Sequence, residues 1–189
     1  MKNITGLIRY ILQDLEVRGF SLKMIPGKEI KSGGDTFKGY CDSEKKAIQL
    51  AADCDNWWMV LAHEWAHSIQ PIEKDTEWAY TYMSNKKKNK LKLLQAARII
   101  QKTELDAEHR ACKLLKQFHI PLPENYIQKV NAYVMSYEVG RRYDKWDMKA
   151  SPSNEYEIYS KMPKRFVAIK NLGKLTSELE QLYLERIFK

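Results

Sequence analysis

One stretch constrains this chain more than any other. It reads Trp57-Trp58-Met59-Val60-Leu61-Ala62-His63-Glu64-Trp65-Ala66-His67-Ser68-Ile69, and Glu64 is the one charged residue between Asn56 and Gln70. An apolar run of this length, free of helix breakers until Pro71, predicts a buried helix. Burying a glutamate in it is costly unless the carboxylate is paired or lies near a metal. The fold must therefore surround this helix and also compensate Glu64. His63 and His67 stand at i and i+4, so their imidazoles share one helix face and can reach a common point. Half of the chain's four histidines lie in these five residues. The plain alternative is two partly buried histidines of no special role, and the apolar flanks argue against it.

The spacing His63-Glu64-x-x-His67 suits one kind of chemistry. Zn²⁺ accepts imidazole nitrogen at about 2.0–2.1 Å and takes three protein ligands plus water at catalytic sites. Glu64, next to the first histidine, can take a proton from such a water. The spacing is thus expected to bind zinc, with His63 and His67 as ligands and Glu64 as general base.

Composition bounds the rest. The chain has 189 residues, 44% of them hydrophobic, enough for one domain or for one domain with an added helical piece. No run approaches the ~18 apolar residues that span a bilayer, so no membrane partner is expected. The N-terminus, Met1 to Tyr10, has short apolar patches broken by charge and does not read as a secretory signal. Cys41, Cys54 and Cys112 are an odd set without paired metal spacing. A reduced cytoplasmic location is expected, with cysteines ranking below a carboxylate as zinc ligands. Net charge is +8 with a pI near 9.2, which permits nucleic-acid contact. Much of that excess sits in Lys86, Lys87, Lys88, Lys90 and Lys92. A solvated loop leading into a helix is preferred for this cluster, with nucleic-acid binding as the alternative.

Periodicity outlines the elements. Ile4, Leu7, Ile8, Ile11, Leu12 and Leu15 predict an amphipathic helix over 4–18, ended by Gly19. Phe20, Leu22 and Met24 alternate with polar residues as a short strand before Pro26-Gly27. Ser32–Asp35 reads as a turn, Thr36–Cys41 as a strand, Asp42–Lys45 as a turn and Lys46–Leu50 as a third strand. The motif helix is expected to start near Asp55 as N-cap. Pro71–Lys90 reads as a flap or a short helix. A long helix follows from Leu91 to about Phe118, then helices over 124–139 and about 175–188, with 141–164 irregular. The order of helix, small sheet and then helices predicts an α+β fold.

A third ligand must come from outside the motif. The extended form with Gly and a third His does not occur, because Ser68-Ile69-Gln70-Pro71-Ile72-Glu73 follows. His109, His119 and several acids remain. Glu104 and Glu108 share a face of the long helix at i and i+4, so one could bind zinc while the other holds a ligand histidine by its second nitrogen. The alternative is a solvated acidic face beside Arg98 and Lys102.

His63-Glu64-x-x-His67 with a downstream Glu104-x-x-Ala107-Glu108 resembles the gluzincin branch of the zincin metallopeptidases, and is similar to the small intracellular ImmA/IrrE-type peptidases. The resemblance covers about residues 36–115. It implies Glu104 as third zinc ligand, Glu108 as the acid that orients a histidine, and an edge strand upstream of the motif helix. Thr36–Cys41 and Lys46–Leu50 are the candidates for that strand. The implied layout is a zincin-like core over 1–120 with a Lys-rich insertion at about 71–92, and a helical extension over 121–189. Tyr133, Tyr137, Tyr143, Tyr156, His109 and Arg110 stay open as the donor that stabilises an oxyanion. The expected function is a zinc-dependent peptidase acting on a protein or peptide substrate. Two alternatives are a nucleic-acid-associated protease and a catalytically silent zincin-like binding module.

Overall fold

The computed structural model describes residues 3–32, 35–71, 74–84, 89–145 and 147–189. Lys86, Lys87 and Lys88 lie outside the described residues, so the expectation for that part of the lysine cluster is not addressed by the fold.

The architecture is α+β and mostly helical, as the pattern of elements predicts. Helix α1 (Ile4–Val17) buries Leu7, Ile11 and Leu15 at the expected spacing, and the Asn3 side chain caps its start by accepting from Gly6 N–H. Strand β1 (Ser21–Ile25) follows, then β2 (Ile30–Ser32) and β3 (Asp35–Phe37), which pair as an antiparallel two-stranded sheet. Strands β4 (Gly39–Asp42) and β5 (Ala47–Ala51) join β1 in a three-stranded sheet of order β1-β5-β4. β1 runs parallel to β5, and β4 runs antiparallel to it. The single strand expected over Thr36–Cys41 is thus two, separated at Lys38, one in each sheet. The third strand is central, so Lys46–Leu50 is not an edge strand, and that position falls to β4. β5 is central because it is the apolar one: Ile48, Leu50 and Ala51 are fully buried.

Helix α2 (Trp57–Ser68) carries the motif and buries Met59, Leu61, Ala62, Glu64, Trp65 and Ala66. Its N-cap is Asn56 in a left-handed conformation, one residue later than the expected Asp55, which is exposed. Asparagine is among the few residues that visit this conformation at low cost. Helix α3 (Lys74–Ser84) occupies the stretch left open between a flap and a short helix. Helix α4 (Lys90–Gln117) is long and unbroken. Helix α5 (Tyr126–Tyr143) extends four residues beyond the expected end. The stretch read as irregular contains a 3₁₀ turn at Pro152–Asn154 and the short helix α6 (Tyr156–Tyr159). Helix α7 (Ser177–Arg186) closes the chain and is capped by the Thr176 hydroxyl.

Contacts divide the chain into two compact units: Met1–Ile72 with Asp106–Leu122, and Glu73–Leu105 with Pro123–Lys189. In the first, Tyr10 of α1 meets Trp65 of α2 and Phe118, with ring centroids 6.0 and 5.7 Å apart. The Trp65 indole also donates to Asp14 at 2.7 Å. In the second, Leu105 joins a core of Val130, Val134, Val139, Tyr183 and Phe188. Ala79, Ala96 and Ile100 form a smaller cluster there, flanked by Trp78 and Tyr137. Among the described residues no helix is long and apolar enough to cross a membrane.

Candidate metal centre

The two histidines converge as the spacing predicts. His63 Nε2 and His67 Nε2 stand 3.0 Å apart, with the rings nearly perpendicular at 87°. Each ring is held from behind. His63 Nδ1 lies 3.0 Å from Glu108 Oε1, and His67 Nδ1 lies 2.8 Å from Gln70 Oε1. A carboxylate oxygen and an amide oxygen are acceptors, so each suits a ring that carries its proton on Nδ1 and leaves Nε2 for a cation. In that tautomer the two Nε2 lone pairs face each other and can share one cation. Two ligand nitrogens about 2.0–2.1 Å from one tetrahedral ion are spaced by roughly this distance. The donor set therefore fits a metal.

The third candidate donor is Glu104. It lies one turn before Glu108 on the unbroken α4 and is 7% exposed. One ligand atom from each of His63, His67 and Glu104 lies within 4.8 Å of the others, and this is the one such group of metal-ligating side chains among the described residues. The reading of Glu104 and Glu108 as a solvated acidic face does not hold. Glu104 is buried, Glu108 is half-buried against His63, and the guanidinium of Arg98 turns to Glu138. The i,i+4 spacing puts the two carboxylates on one side of α4, where Glu104 joins the group with His63 and His67 and Glu108 lies against the His63 ring.

Sequence reasoning misses three contributors. Gln70 stands in for a carboxylate on His67, and its amide nitrogen donates to Asp106 Oδ2 at 2.9 Å. Tyr80 of α3 donates to Glu104 Oε1 at 2.8 Å. Gly39 of β4 is the third. A Cβ built on it would lie 2.6 Å from Val60 Cγ1 and 2.8 Å from Glu64 Oε1. The strand backbone thus approaches α2 so closely beside Glu64 that only glycine fits. The one signal for Gln70 is its position three residues after His67. Tyr80 and Gly39 have no local signal.

Glu64 is 7% exposed on the β4 side of α2. Burial, and next the charge of Glu64, push the Cys41 thiol up to about 12, so it remains protonated at neutral pH. The donors weighed for an oxyanion are mostly engaged elsewhere. Tyr143 donates to Glu180, Arg110 to Asp106, and Tyr156 is exposed beside Tyr159. His109 is exposed on α4. Tyr137 is hydrogen-bonded to Tyr133 at 2.9 Å. Burial first, then Tyr133, Glu104 and Tyr80, hold its phenol well above the ordinary tyrosine range. Of the lysines, Lys90 opens α4 and Lys92 is exposed on its first turn.

Comparison of the chain with protein-family models, with curated proteins and with solved structures finds no match in any of the three.

Proposed function

We propose that the chain is a zinc-dependent peptidase, with His63, His67 and Glu104 as ligands and Glu64 as general base. The observation that carries this is the pair of Nε2 atoms 3.0 Å apart, each ring held at Nδ1 by an acceptor. A bound zinc ion supplies Lewis acidity toward a peptide carbonyl and toward water. Glu64 takes the proton of the attacking water and returns it to the departing amine. Glu64 is buried beside Gly39, whose missing side chain leaves room for the carboxylate. Strand β4, one of the two edges of the three-stranded sheet, offers a backbone with which an extended peptide can pair. Glu108 and Gln70 hold the ligand rings.

The test uses purified protein, its metal content, and digestion of a peptide library. The wild type is expected to carry one zinc and to cleave. Glu64→Gln should keep the zinc and the fold while cleavage falls by about 10²–10⁴-fold, because an amide cannot accept the proton. Unchanged cleavage by Glu64→Gln would remove the mechanism. Zinc bound without cleavage by either protein would support the binding-module reading instead.

A further inference from the structure

We propose that Asp106 and Arg110 form a positioning relay that acts through Gln70 to keep His67 in the tautomer that binds a cation. This rests on reading His63, His67 and Glu104 as a metal centre.

The two ligand rings are not held alike. His63 has a carboxylate behind it, and a carboxylate can only accept. This favours the proton on Nδ1, which leaves Nε2 with a lone pair. His67 has an amide behind it. An amide can present either its oxygen or its NH₂. With the NH₂ toward Nδ1, the ring proton would move to Nε2, and that nitrogen could not bind a cation. Gln70 is therefore competent in one orientation only.

Asp106 selects that orientation. Its Oδ2 lies 2.9 Å from Gln70 Nε2. As an acceptor it takes the NH₂ and turns the amide oxygen to His67, 2.8 Å from Nδ1. Asp106 is itself held by Arg110, one turn later on α4, whose Nε donates to the same Oδ2 at 2.7 Å. The backbone places Gln70 for this: its N–H bonds to His67 O, and Pro71 follows at once. The side chains of Asp106 and Arg110 are 47% and 37% exposed. Two surface residues thus reach a half-buried ligand through one amide.

The relay makes a prediction that neither packing nor charge shares. On the full chain, zinc affinity is measured by competition with a chromophoric chelator. Asp106→Ala should weaken binding by about 10- to 100-fold, the usual cost of losing an outer partner of a metal ligand, with the fold intact by circular dichroism. Gln70→Glu in the Asp106→Ala background should restore most of that loss, because a carboxylate needs no orienting partner. Gln70→Glu with Asp106 present should weaken binding, since it sets two carboxylates against each other. A purely electrostatic effect predicts the reverse, with that doubly acidic variant binding tightest. Wild-type affinity in Asp106→Ala, or the same effect of Gln70→Glu in both backgrounds, would overturn the relay while the metal centre stands. A wild type that binds no zinc would overturn the metal centre, and the relay with it.

Discussion

Single residues set the tolerances of this site, and Gly39 shows it most directly. Its conformation needs no glycine; its surroundings do, because an added methyl would meet Val60 Cγ1 at 2.6 Å and Glu64 Oε1 at 2.8 Å. Gly39→Ala is therefore expected to push Glu64 off its position while leaving His63 and His67 in place on the same helix. Zinc content should stay near one per chain and cleavage should fall by more than tenfold. Overpacking of this kind costs about 1–3 kcal/mol, which a denaturant midpoint would register. Full activity in Gly39→Ala would show that Glu64 tolerates displacement and is not the base. Such constraints are not legible in the sequence. A histidine pair at i,i+4 is a local pattern, fixed by helix geometry alone. Gly39, Tyr80 and the Gln70–Asp106 bond depend on what the fold brings opposite them, and nothing within a few residues of each announces it.

Elements follow the same division. α1 can be read from its period because its buried face is its own sequence, and α2 because its breaker-free run leaves a helix little choice. β2 escapes the sequence because three residues are too few to show alternation. α5 reads too short because Arg141 and Arg142 look like the start of a solvated loop. Instead both guanidiniums turn back to Glu138, at i+3 and i+4, and Arg98 of α4 reaches the same carboxylate at 3.3 Å. Arg142 also binds Glu180 of α7. Glu138 is 1% exposed, so its removal takes a buried carboxylate from three arginines, of which Arg142 keeps Glu180. Glu138→Ala should destabilise the chain by about 3–5 kcal/mol, as breaking a buried charge pair typically does. Burial alone would raise the Glu138 carboxyl, but the hydrogen bonds from Arg141 and Arg142 outweigh it and hold the group below the usual carboxylate range. A depressed folded value means stability that is complete above the unfolded carboxylate range and lost as pH falls through the folded one. Urea midpoints of the wild type should drop as the solution is acidified through that window. Glu138→Gln should start lower and drop less, and parallel acid limbs for the two proteins would show that this network does not govern acid unfolding.

At the scale of the whole molecule, the metal and the net charge make separate predictions. A ligand that binds only the folded state stabilises it by about 2.7 kcal/mol at one hundred times its dissociation constant. Zinc should therefore raise the melting temperature of the wild type and a strong chelator should lower it, with no such response in His63→Ala. The charge of +8 is concentrated in part at Lys86, Lys87, Lys88, Lys90 and Lys92. Five cations within seven residues repel one another and cannot be buried without partners, and the one of them whose side chain is described, Lys92, is exposed. Replacing all five with Gln is expected to leave zinc content and cleavage unchanged and to shift stability by no more than about 0.5 kcal/mol, the usual scale for surface substitutions. The same protein decides what the cluster is for. A lysine that neutralises a phosphate releases a counterion, so the slope of log affinity against log salt falls by about 0.9 for each duplex-DNA phosphate that the variant leaves unneutralised. The expected result is no steep salt-dependent binding in the wild type and no change in the variant, as for a solvated charge run. A wild-type complex with DNA that weakens sharply with salt, and a variant in which the slope collapses, would place the protein at nucleic acid and, with the proposed activity, make proteins bound there its substrates.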